Sequence, residues 1–400
     1  MQPSLSAWIK DRVEVLRRSL SETRRNFYMH PELSGEEKRT AHIIANRLRK
    51  LGLTVQTRVG GYGVVGVLEG ARPGPTVACR ADMDALPVQD TLETPYRSSV
   101  LGVKHACGHD VHMAVALGAA EVLAALRDDF AGTVKFIFQP AEESLEGARA
   151  MLAAGVMADP RPDVILALHV SPIPVGTVGV ATGLCLAGME EFRVSFSGQT
   201  TNLDVLIARA ASALRALSGG GAPGGMATFN ALVRAMRAGT VSTHNVLVSC
   251  WPQNGDTTAH EHLLGLVSLP QMDLQDEVHA RIRQILEDVV AGTGVTYDLR
   301  FTFSNPPVIN DAAVVREMLP VLKTVVGADN VWVFRSPYPF AHEDFALYLQ
   351  HAPGALFWLG IANPAKGIAH LLHTPDFDVD EDALVVGTRV MTTLLLHFLR

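Results

Sequence analysis

Five short, almost uninterrupted apolar runs constrain this chain more than any other feature: Val64–Leu68, Thr76–Ala81, Thr133–Phe138, Val164–His169 and Ala355–Leu359. Each is too short for an ordinary helix and lacks polar alternation, so each reads as a strand buried on both faces. The stretches between them repeat at the helical period. Residues 5–28, for example, place Trp8/Ile9, Val13, Leu16 and Leu20 three or four apart, and 36–51, 111–127, 145–154 and 312–326 behave similarly. Buried strands alternating with helices predict an α/β fold built on a mainly parallel sheet.

The pattern changes near residue 190. Phe192, Val194 and Phe196 alternate with polar residues, as in a strand with one wet face. A helix over 203–217, strands over 229–237 and within 262–269, a helix over 271–290 and a final alternating strand from Val295 to Phe303 are expected next. The order β-α-β-β-α-β is the ferredoxin-like split arrangement. The reading is therefore two domains, as 400 residues would suggest. An α/β domain is formed by 1–188 and 304–400, with a ferredoxin-like α+β domain, 189–303, inserted into it.

Charge and composition exclude several partners. With 34 Lys+Arg against 41 Asp+Glu the net charge is −7, so there is no basic field to hold nucleic acid. The most apolar stretch, Met113–Leu126, is interrupted by Glu121 and falls short of the ~20 residues that span a bilayer. The N-terminus has charges from Lys10 onward and no apolar leader core. Four cysteines, at 79, 107, 185 and 250, suit a reducing compartment, and a cytoplasmic protein is expected.

Polar residues gather where the buried strands end. Asp82 and Asp84 follow the second run, Glu142 and Glu143 follow the third, and His169 closes the fourth, while Cys107 and His109 precede the helix at 111. In an open parallel sheet such ends share one edge, where ligands bind. A charge left unpaired there is costly unless it meets a metal or a partner, and N, S and O donors together suit Zn²⁺, Mn²⁺ and related ions. Adjacent Glu142 and Glu143 can face different ways, one as ligand and one as base. Glu36–Glu37, by contrast, reads as a solvated helix start. Metal-assisted hydrolysis of a small molecule is the expected chemistry.

The blocks RADMDALP (80–87), HACGHDVH (105–112), GTVKFIFQPAEE (132–143), ALH (167–169), HEDF (342–345) and LHTPDFDVDEDAL (372–384) resemble the M20 metallopeptidase/amidohydrolase family. The branch is the one that hydrolyses N-acyl amino acids. The resemblance implies two divalent ions, Mn²⁺ or Zn²⁺ with Co²⁺ or Ni²⁺ as alternatives, held by Cys107, His109, Glu143, His169 and His373. It further implies Glu142 as general base, Asp82 orienting the site, and a lid domain, through which a homodimer or homo-oligomer is expected; His105 and His112 lie close enough in the sequence to support the ligands from behind. The substrate expected is the amide of an N-acyl amino acid. The alternatives are an aromatic amine or unusual aromatic amide, or a non-catalytic small-molecule-binding protein on the same fold.

The lid departs from that pattern. Where the family carries Gly-Gly-His-Ala, this chain has Ser197-Gly198-Gln199-Thr200-Thr201-Asn202, and Gly265-Leu266-Val267-Ser268 stands where a lid arginine is usual. Substrate-binding substitutes are sought in His244 and Asn245, with His260 and His262 as further candidates. Residues 335–340, ahead of His342, are expected to line the pocket, and Trp332 and Trp358 to belong to the core.

Overall fold

The computed structural model describes residues 4–198, 202–218, 222–242, 246–252 and 262–400. α1 (Leu5–Met29) starts at Ser4, whose hydroxyl accepts from the Ala7 N–H at 3.3 Å, and buries Ile9, Val13, Leu16, Leu20 and Phe27 along one stripe. α2 (Lys38–Lys50), β1 (Thr54–Val59), β2 (Gly63–Glu69) and β3 (Arg72–Asp82) follow. α3 (His109–Ala125) is apolar on nearly every side and buried almost throughout, as an interior helix must be. Next come β4 (Ala131–Gln139), α4 (Gly147–Ala153), β5 (Val164–Pro174), β6 (Val178–Ala181) and β7 (Gly183–Leu186). A second group comprises β8 (Gly188–Ser197), α5 (Leu203–Arg215), α6 (Met226–Ala238), β9 (Leu247–Pro252), β10 (Leu263–Leu269), α7 (Gln275–Val290) and β11 (Thr296–Asn305). The chain returns through β12 (Val308–Asn310), α8 (Ala312–Val326), β13 (Val331–Phe334), α9 (Phe345–Tyr348), β14 (Gly354–Ala362) and α10 (Asp382–Phe398).

The large sheet has eight strands in the order β1-β2-β4-β3-β5-β14-β6-β13. Its centre is parallel: β3 runs with both β4 and β5, and β5 with β14, whereas β1–β2, β2–β4 and β6–β14 are antiparallel. Alternate residues of the central strands enter different cores. Cys79, Phe136 and Leu166 meet α1, α3 and α10 on one face, while Ala78, Ile137 and Ala167 pack with Met151, Phe345 and Tyr348 on the other. Both faces are dry, which is why these strands read as continuous apolar runs. The parallel centre also sends the ends of β3 and β4 and the middle of β5 toward one edge. β5 is longer than the sequence suggests: it continues five residues beyond His169, whose register partner is Trp358.

The second sheet is β11-β8-β10-β9, antiparallel throughout, with its own core of Phe192, Val194, Leu214, Ile282 and Leu286. Numbered within the unit, its strands lie 4-1-3-2, the ferredoxin-like order. Residues 229–237, expected as a strand, belong instead to helix α6, and the missing strand is β9. The stretch Phe229-Asn-Ala-Leu-Val-Arg-Ala-Met-Arg fits both periods. Its Ala, Leu, Met and Arg content favours helix, and Phe229, Val233 and Met236 then share one face. That face packs into the large sheet's core rather than the small one's. The Met236 carbonyl accepts from the Arg335 N–H at 2.9 Å. Among the described residues no helix is long and apolar enough to cross a membrane.

Candidate metal centre and substrate cavity

Gly108 turns the chain into α3 with φ +83°, and a Cβ there would lie 2.4 Å from Val170 Cγ2. The turn needs both the left-handed backbone and the absent side chain. It places Cys107 and His109 at the helix start, beneath the loop that leaves β4. His109 Nδ1 donates to the Asp84 carbonyl at 2.9 Å, so Nε2 faces the site, 3.8 Å from both Glu142 Oε2 and Glu143 Oε1 and without a protein partner. His169 Nδ1 donates to the Val170 carbonyl at 2.7 Å and turns Nε2 toward Cys107 Sγ, 3.4 Å away. His373 brings Nε2 to 3.2 Å from the same sulfur and 3.5 Å from Glu143 Oε1.

All five residues expected from the sequence thus converge. Donor atoms of Cys107, His109 and His169 lie within 4.8 Å of one another, and so do those of Cys107, Glu143 and His373. The sets share Cys107, and their sulfur, imidazole and carboxylate donors suit a borderline divalent cation. Glu143 Oε1 and His109 Nε2 are buried without hydrogen bonds, which is what ligand atoms require. His373 adopts φ +63° and Ala141, just before Glu142, φ +53°. Left-handed backbone at non-glycine residues costs about 1–2 kcal/mol each and concentrates at functional sites.

The electrostatics call for positive charge. Burial opposes a charge on His109, yet Asp82, Asp84 and Glu143 push it up to about 10. Burial also opposes ionised Asp82, but His109, His112 and Arg80 hold it well below the usual carboxylate range. Burial would raise Glu143, and His373 and His109 outweigh it. Burial, reinforced by Glu343, Glu143 and Asp344, pushes Glu142 well above an ordinary carboxyl. The two adjacent glutamates therefore differ, as their directions do. His112 lies behind the donors: Nδ1 donates to Asp82 Oδ1 at 2.6 Å, and Nε2 accepts from the Val170 N–H at 2.9 Å. Asp82 is thus tied to His112 and Arg80 instead of reaching the donors directly. His105 is fully buried with neither ring nitrogen bonded, and burial lowers it to about 3.

Two supports were not legible as such. Arg80, fully buried, donates to Gln139, Asp82, Glu343 and Asp344, joining the ends of β3 and β4 to the 342–345 block. Arg80 and Glu343–Asp344 each belong to a block visible in the sequence; that the two blocks pair is not. Glu37, expected to be solvated, is buried. Its Oε1 accepts from the N–H groups of Gly35 at 2.9 Å and Ala141 at 2.8 Å, pinning the strained loop before Glu142. Nothing local distinguishes it from a solvated helix-start glutamate.

Beside the donors opens a cavity of about 590 Å³. Glu142, Glu143, Cys107, His169 and His373 line one end, and Phe229, Val233 and Met236 of α6 form a wall. Tyr338 and Phe340 line it as expected; Trp358, expected only in the core, lines it too. His342 also lines the cavity, with Nε2 2.8 Å from Ser268 Oγ on β10. His244, Asn245 and His260 lie outside the described residues. His262 directly precedes β10: its Nδ1 accepts from the Phe196 N–H at 3.0 Å, and it is not among the cavity's lining.

Residues 78–397 match the sequence model of the family described as peptidase family M20/M25/M40. A probable hydrolase of Synechocystis sp. is 33% identical over 95% of this chain and 95% of its own. An N-acetylcysteine deacetylase of Bacillus subtilis is 31% identical over 93% of this chain and 94% of its own. Among solved structures, a Bacillus subtilis protein described as a dinuclear metal-binding peptidase of the M20 family superposes with TM-score 0.77. It is 29% identical, covering 96% of this chain and 99% of that one.

Proposed function

The chain belongs to peptidase family M20/M25/M40, a family of metal-dependent hydrolases acting on amide or peptide bonds, and on that premise we propose that it hydrolyses the amide C–N bond of a small molecule with Glu142 as proton carrier. Cys107, His109, Glu143, His169 and His373 would hold two divalent ions, Zn²⁺ or Mn²⁺, with Co²⁺ and Ni²⁺ accepted by the same donors. The observation that carries the reading is the unequal surroundings of two adjacent glutamates: both come to 3.8 Å from His109 Nε2, but Glu143 also groups with Cys107 and His373 and Glu142 with Glu343 and Asp344. The bound ions would supply Lewis acidity for the amide carbonyl and a more acidic water.

The rest is the protein's work. Glu142, buried at the end of the cavity that carries the metal donors, accepts a proton from the attacking water as the new C–O bond forms. It returns that proton to the nitrogen as the C–N bond breaks, so the products are a carboxylic acid and an amine. Arg80 fixes Asp82 and Glu343 on either side, and Asp82 fixes His112. N-acyl amino acids fall within this reading, as does a homodimer formed through the inserted domain in the cytoplasm; light scattering tests the dimer.

The test is Glu142→Gln. The variant should take up divalent metal like the parent, by elemental analysis, and lose about 10²–10⁴-fold in turnover on an amide panel followed by chromatography. Parent-like turnover would remove Glu142 from the reaction. Ammonia released without a carboxylic acid would replace amide hydrolysis by deamination of an amine.

A further inference from the structure

Resting on the amide-hydrolase reading, we infer that the substrate carried by this cavity is an uncharged aromatic amide, selected by the wall that α6 adds and by a lining with no lysine or arginine to receive a carboxylate. None of the chain's 34 lysines and arginines lines the cavity, and all of them lie among the described residues. Arg237, next to Met236, stacks on Trp332 with its guanidinium 4.4 Å from the ring centre, Arg80 is held by Asp82, Glu343 and Asp344, and Arg234 and Arg335, next to Val233 and Phe334, are exposed at the surface. The residue β10 presents to the cavity is Leu266, half-buried and apolar.

What the cavity offers instead is aromatic surface. Phe334 meets Trp358 edge-on with ring centres 5.1 Å apart, and Tyr338 meets Phe340 edge-on at 5.9 Å. Phe229 of α6 lies 6.5 Å from Tyr338, so the helix completes this ring of aromatics. Rings favour such edge and offset contacts with a bound ring, and a cavity of about 590 Å³ is the size of an ordinary small-molecule site. A carboxylate placed among these groups would lose its water and gain no cationic side chain.

The experiment uses the metal-loaded Glu142→Gln protein, which should bind without consuming its ligand, and a matched pair: N-benzoylglycine and its uncharged N-methylamide. Calorimetry should show the neutral compound binding at least about tenfold more tightly. Leu266→Arg in the same background should reverse the order, and Phe229→Ala should weaken both compounds about tenfold, because both carry the same benzoyl ring. If the Leu266 variant does not fold, the order of the matched pair on the Glu142→Gln protein decides the charge selection and the Phe229 variant the aromatic wall. Equal or tighter binding of the acid to the Glu142→Gln protein overturns the inference. If the parent enzyme then hydrolyses N-benzoylglycine, the amide reading survives that loss. The expected binding order with no amide hydrolysed by the parent would sink the amide reading and keep the inference.

Discussion

Arg80→Met keeps the aliphatic stem and removes the guanidinium from a buried cluster of three carboxylates. Arg80 makes five hydrogen bonds: Nε to Gln139 at 2.9 Å, Nη1 to Asp82 at 2.6 Å and Glu343 at 3.3 Å, and Nη2 to Glu343 and Asp344 at 2.9 Å each. Arg80 and these three carboxylates are all at most 2% exposed, so solvent cannot replace it. Removing one side of a buried pair costs about 3–5 kcal/mol, a large share of the ~5–15 kcal/mol that stabilises a domain. Arg80→Lys, which keeps the charge but loses the fork, should fall between Met and the parent. The pH dependence identifies the cause. Burial pushes Asp344 up to about 7 even with Arg80 beside it. A carboxyl raised in the fold contributes stability fully present below its unfolded pKa and lost as pH rises through the folded one. Without Arg80 that value climbs further, so the deficit against the parent should be larger at pH 8 than at pH 5.5. Urea unfolding at both pH values, followed by tryptophan fluorescence, measures it. A parent-like midpoint, or a deficit no larger at pH 8, would refute the argument.

Glu37→Gln tests the pin under the loop that leads to Glu142. Burial raises Glu37 to about 7, so the parent should lose roughly 3 kcal/mol between about pH 4.5 and 7, and the glutamine variant should show a flatter thermal midpoint across that window. Parallel curves would show that Glu37 does not titrate as described. Gly108→Ala forces a side chain into left-handed backbone and 2.4 Å from Val170 Cγ2. It should destabilise by about 1–2 kcal/mol from the backbone alone, with Val170→Ala restoring part of any excess in a double-mutant cycle.

Some of this was legible because the cause is local. A strand dry on both faces must be apolar, so the runs at 76–81, 133–138 and 164–169 announced the parallel centre and the edge carrying Asp82, Glu142, Glu143 and His169. Fragments 229–237 and 247–252 were harder. Short apolar stretches fit either period, and what settles α6 is the surface it packs against, 100 residues further along the chain at Arg335–Trp358. Glu37 and Arg80 were opaque for a related reason: each earns its role through partners far away in the chain, at Ala141 and at Glu343–Asp344.

By itself the sequence determined the α/β class, the residue types at the strand ends and the departure of the lid from its family's pattern, because all three are carried by residue identity and short-range spacing. Only the tertiary structure decided which way Glu142 and Glu143 turn, that Arg80 is consumed by carboxylates, and that α6 leaves its own sheet to wall the cavity. Those facts depend on contacts between segments about one hundred to more than two hundred and fifty residues apart, and the side chains in a buried site take their charge and direction from whatever the fold brings against them.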